Sequence, residues 1–95
     1  MNNSLSGING QSGIIYIDDA FDKIYDLCID QSVDEAIEQL GKNYSYVKFV
    51  DEKIADKMDT GEYLMMRSFQ VDEYYVKLYY GRDEYLINDI DVSMA

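Results

Sequence analysis

The hydrophobic period changes along this chain, from about 3.6 residues near its start to two in its last third. That change constrains the fold more than any single motif. Ile17, Phe21, Ile24 and Cys28 fall at i, i+4, i+7 and i+11, with Ala20 and Leu27 widening the stripe. This spacing predicts an amphipathic helix, with Asp18 or Asp19 placed to cap its positive N-terminal end. A second helix opens with Ser32-Val33-Asp34-Glu35, a capping box in which Ser32 and Glu35 satisfy each other's backbone N–H groups. Val33, Ala36, Ile37 and Leu40 form its apolar stripe, and Gly41 suits its end.

The last third alternates instead. Residues 62–70 set Tyr63, Met65, Arg67 and Phe69 against Leu64, Met66 and Ser68. Residues 73–80 set Tyr74, Val76, Leu78 and Tyr80 against Tyr75, Lys77 and Tyr79, and Gly81-Arg82-Asp83 then turns the chain into Glu84–Val92. Between the two regimes, Tyr44–Val50 is β-branched and aromatic, yet Val47, Val50, Ile54 and Met58 also match helical spacing. The reading adopted is a strand at 45–50 followed by a helical turn at 51–58. Together the patterns predict an α+β fold: two acidic N-terminal helices packed on a small antiparallel sheet of three to four strands. Residues 1–13 carry no charge and are rich in Asn, Ser and Gly, which predicts a flexible leader before a single domain at 14–95.

Composition then limits the chemistry. There is no histidine and one cysteine among 95 residues, which excludes Ser-His-Asp and Cys-His catalysis, an internal disulfide and a Cys/His zinc site. No catalytic residue is assigned, and no cofactor is expected. A lone thiol suits a reducing, cytoplasmic setting, and the longest apolar run near the start, Ile14–Ile17, is far shorter than a membrane span. No Gly-Lys-Ser or Gly-Lys-Thr follows the early glycines, so no phosphate loop is present. Asp18, Asp19 and Asp22, or Asp89 and Asp91, could in principle hold a hard cation, but no calcium-loop motif surrounds them and no metal site is assigned.

The formal net charge is −11, and its distribution is uneven. Residues 18–38 hold eight acids against Lys23 alone, a net of −7, whereas residues 39–58 carry a net of +1. So acidic a chain repels phosphate backbones and anionic lipid, which argues against direct nucleic-acid or membrane binding. A charged outer helix face is ordinarily just solvated. Here, however, Asp18, Asp22, Asp26 and Asp30 recur every fourth residue, and like pairs at that spacing destabilise a helix by roughly 0.2–0.5 kcal/mol each. Helix stability alone did not place these carboxylates. With Asp34 and Glu38 on the second helix, they form a candidate surface for a basic groove that normally holds nucleic acid.

Ten tyrosines are the second feature, eight of them from Tyr44 onward. Tyrosine suits half-buried strands, but both faces of 73–80 carry it and the helices can cover one. Tyr75 and Tyr79, flanking Lys77, are therefore candidate partner-binding anchors. By composition the chain is similar to small acidic inhibitor proteins, a style shared by phage anti-defence proteins and bacterial toxin-immunity proteins, and the similarity transfers no functional residue. The expectation is a non-enzymatic inhibitor of a basic protein such as a nuclease or CRISPR effector, on the pattern of a phage anti-CRISPR or anti-restriction factor. The alternatives are an immunity protein or antitoxin against a nuclease toxin, and a homodimeric adaptor joined through the sheet.

Overall fold

A computed structural model describes residues 12–95 except Glu84, with side chains described from Asp19 onward. Two helices, α1 (Ser12–Cys28) and α2 (Val33–Asn43), precede four strands, β1 (Val47–Lys57), β2 (Tyr63–Val71), β3 (Tyr74–Gly81) and β4 (Ile87–Met94). The strands form one antiparallel sheet in the order β1-β2-β3-β4, so the predicted α+β class holds and the sheet has four strands.

Helix α1 begins earlier than the sequence reading placed it. Ile14 lies three residues before Ile17 and carries the helical period back by one turn, so Asp18 and Asp19 are interior positions and not caps. The leader assigned to 1–13 lies outside the described residues except for Ser12 and Gly13, which open α1. At its other end α1 stops at Cys28, and Asp30 takes a left-handed backbone with φ 61°, which an aspartate tolerates better than most residues. Asp30 is therefore not a fourth rung of a helical ladder.

The capping box forms as predicted. Glu35 N donates to Ser32 Oγ at 3.2 Å, and Ser32 N donates to Glu35 Oε1 at 3.4 Å. Helix α2 runs through Gly41 and stops at Asn43, where the Tyr44 N–H still closes onto the Leu40 carbonyl at 2.9 Å. Its stripe of Val33, Ala36 and Leu40 is buried.

The largest correction falls at 51–58, where the sequence reading placed a helical turn. This stretch continues β1, paired with β2 from Val47↔Val71 to Lys57↔Tyr63, with register slips between Phe49 and Asp51 and between Ile54 and Asp56. Each slip is a β-bulge that inserts one residue. Two bulges in eleven residues break the period-two pattern, so that Val47, Phe49, Glu52, Ile54 and Lys57 share one face at alternating steps of two and three, and strict alternation is lost. Gly61, with φ 89°, turns the chain into β2 in a conformation only glycine enters freely. After β3 the turn is longer than Gly81-Arg82-Asp83: Gly81 ends β3, Tyr85 has φ 60°, and β4 starts at Ile87 rather than residue 84.

One face of the sheet carries the core. Phe69, Val71, Val76, Leu78, Tyr80, Ile87, Ile90 and Val92 meet Ile24, Cys28, Val33, Ala36 and Leu40 from the helices. Burial pushes the Cys28 thiol up to about 12, so it stays protonated and unreactive near neutral pH. The Lys23 ammonium lies 4.9 Å from the centroid of the Tyr44 ring, so the middle of α1 meets the C-terminal end of α2 and the helices run antiparallel. Their connection is stitched to the β3–β4 turn. Asp30 N donates to Ile87 O (3.0 Å), Ile87 N to Gln31 O (2.9 Å), and Val33 N to Tyr85 O (3.2 Å).

Candidate functional site

The structure divides the candidate residues between two surfaces and adds a third. On α1, Asp19, Asp22 and Asp26 are exposed; on α2, Asp34, Glu35 and Glu38 are exposed; Asp30 is exposed in the connection between them. Asp18 lies within α1, and its side chain is outside the described residues. Two antiparallel helices lying on one sheet face present their outer sides in the same general direction, so these acids share the helical layer. Lys23 and Lys42 are the cations on the helices among the described residues. Lys23 sits over Tyr44, and Lys42 pairs with Glu38 at 3.5 Å. The backbone bonds that stitch the helix connection to the β3–β4 turn hold this layer against the sheet, so the carboxylates are displayed from a fixed frame.

The opposite sheet face carries Tyr75, Lys77 and Tyr79 in a row on β3. It is bordered by Ser93, Asp91 and Asp89 of β4 and by Gln70, Ser68 and Met66 of β2. Among the described residues no helix covers this face, yet the two tyrosines are half-buried rather than exposed. Their rings, with the Lys77 stem, shelter Ser68 and Met66, which are 0 % and 4 % exposed. The Lys77 ammonium lies 5.8 Å from the Tyr75 centroid. Signs here are mixed, Lys77 standing opposite Asp91.

The third surface is one the sequence reading missed. From Lys48 to Lys57 every residue of β1 is exposed, including Phe49 (54 %), Val50 (47 %) and Ile54 (56 %). The helices do not reach over this edge strand. Phe49 leans edge-on against the Phe69 ring at 5.8 Å, which is its contact with the core's margin. The available signal was Phe49-Val50 with Ile54 inside a charged stretch, which the reading of a strand at 45–50 and a helical turn at 51–58 split in two.

A polar cluster joins β1 to the rest of the sheet. The Arg67 guanidinium donates to Glu52 Oε2 from Nε at 3.1 Å and from Nη2 at 2.8 Å, and the Tyr80 hydroxyl donates to the same oxygen. The Tyr80 hydroxyl first, and Arg67 second, hold the Glu52 carboxyl below the usual carboxylate range. Burial, followed by that hydrogen bond, pushes the Tyr80 phenol up to about 12. Beside the cluster, Ser32, Val33, Asp34, Arg67 and Tyr85 line a cleft of about 260 Å³ at the start of α2. Two of its polar groups are already engaged: Ser32 in the capping box and Arg67 with Glu52. Among the described residues no three Asp, Glu or Cys side chains converge as a metal set, and no helix is long and apolar enough to cross a membrane. No family model, curated protein or solved structure matches the chain.

Proposed function

We propose that this chain is a non-enzymatic acidic inhibitor that binds a basic, nucleic-acid-handling protein in the cytoplasm. The expected target is a nuclease or CRISPR effector whose phosphate-binding groove it occupies, in the style of a phage anti-CRISPR or anti-restriction factor. The observation that supports this reading is the helical layer. Asp19, Asp22, Asp26, Asp30, Asp34, Glu35 and Glu38 are exposed on it, and its two described lysines are each engaged. A single helix is too sparse to replace a duplex, since carboxylates one turn apart are about 6 Å apart along the axis, while duplex DNA carries one charge per about 1.7 Å. Two helices side by side raise the density, and a rigid frame removes the ordering cost that a floppy acidic tail would bear on binding. Attraction to a basic groove then accelerates encounter and weakens as salt rises. Tyr75 and Tyr79, on the opposite sheet face, would serve a second contact rather than the same one.

The test is reversal of Asp22 and Asp26 to lysine, with inhibition and binding measured against a basic nuclease captured by the chain at low salt. Both side chains are exposed and one turn apart, so the double variant exchanges one like-charge pair for another, now with a cation in the last turn of α1, and should fold about as stably. Association is expected to slow by about tenfold or more, with a shallower salt dependence. Full inhibition by the double variant would sink the groove-blocking reading.

A further inference from the structure

The geometry points to the free edge of β1 as a self-complementary interface through which two copies of this chain pair antiparallel into one continuous eight-stranded sheet. The sheet register places Lys48, Asp51, Lys53 and Asp56 on one face, opposite Gln70, Ser68, Met66 and Leu64 of β2. Read along the strand, the signs on that face are plus, minus, plus, minus. A second copy running antiparallel, with the twofold axis at Glu52, sets Lys48 against Asp56 and Asp51 against Lys53, and the reverse pairs follow by symmetry. All four positions then face an opposite charge.

The irregularities of the strand obey the same symmetry. The doublets Phe49-Val50 and Ile54-Ala55, where the register slips, lie at equal distances on either side of Glu52. The pairing therefore sets each doublet against the other, bringing Phe49 and Val50 of one copy beside Ala55 and Ile54 of the second. These doublets hold the three exposed large apolar residues of β1. Glu52 itself would meet its own copy on the axis, but its carboxylate leans inward onto Arg67 and Tyr80, where its charge is already compensated.

Lysines and bulges are also the devices by which sheets keep an edge solitary. The two roles differ in sign pattern. A protected edge repels a second copy, whereas the pattern here attracts one at four positions. Among the described residues none of Lys48, Asp51, Lys53 and Asp56 makes an ion pair within the chain; Asp51 and Asp56 each accept a bond from the next backbone N–H, at 2.9 and 2.8 Å, which leaves their negative charge unpaired with any cation. Exposed apolar doublets on an unpaired edge favour association as well. The occupant is a second copy of this chain, and the pairing is independent of the acidic helical layer.

Sedimentation velocity on the purified full chain tests it without any target protein. A concentration-dependent dimer is expected. Lys48→Asp turns two attractive pairs into repulsive ones and should weaken the dimer by roughly thirtyfold. The swap Lys48→Asp with Asp56→Lys restores opposite signs and should restore the dimer. Circular dichroism of each variant distinguishes a lost interface from a lost fold. A wild-type chain that stays monomeric to about 1 mM would overturn the proposal. So would a dimer indifferent to Lys48→Asp, or a charge swap that fails to rescue it.

Discussion

The half of the sheet beneath the helices and the half built by β1 obey different rules. On β2, β3 and β4 the residues at the centre of the helix-facing side are inaccessible: Val71, Val76, Leu78 and Ile87 are each 0 % exposed. On β1 nothing from Lys48 onward is even half-buried. The first half is a core in the ordinary sense, held by burial of apolar surface. The second is held by its ladder with β2, by Phe49 against Phe69, and by the Glu52–Arg67–Tyr80 cluster. Beyond Val47, the apolar side chains on β1 contribute little to folding, so their presence there calls for a reason outside the isolated fold.

Leu78→Ala should produce the largest effect. It removes a fully buried side chain from the centre of the sheet and is expected to cost about 2–5 kcal/mol in denaturant unfolding. A cost near zero would mean that the helical layer does not close over β3. An intermediate effect is expected where the two halves meet. Tyr80→Phe deletes the hydroxyl that reaches Glu52 and should cost about 1–2 kcal/mol. It also carries a pH signature. Because the folded phenol is raised from 10.0 to about 12, its contribution is complete below pH 10 and is lost as pH rises through about 12. Thermal unfolding of the wild type should therefore fall more steeply above pH 10 than that of Tyr80→Phe, and parallel curves would refute the coupling. Smallest is Ile54→Ala, at 56 % exposure, which should leave monomer stability within about 0.5 kcal/mol of wild type. A larger loss would assign β1 to the core and blur the contrast.

The halves also differed in how readable they were. Local signals with one mechanism each were legible: the Ser32–Glu35 capping box, the alternation in 73–80 and the stripe that buries Ala20, Ile24 and Cys28. What stayed hidden depended on context. The bulges at Phe49-Val50 and Ile54-Ala55 are permitted by an edge position and by pairing with β2, and from sequence alone they read as helical spacing. The aspartate repeat suggested a ladder of four, but helix α1 ends at Cys28 and Asp30 belongs to the connection. Likewise the sequence left open which face of the sheet stays uncovered; Tyr75 and Tyr79 lie on that face, half-buried above Ser68 and Met66, which alternation does not reveal. The candidate acids were readable as a composition, and their arrangement on two antiparallel helices required the fold.

Cys28 gives this molecule a built-in clock. Its thiol is sealed between α1 and the sheet and is held in the unreactive protonated form. A thiol reagent can therefore modify it only during moments when the helical layer lifts away. The rate of labelling is then a count of those openings, taken with no substitution, in the layer that carries the acids.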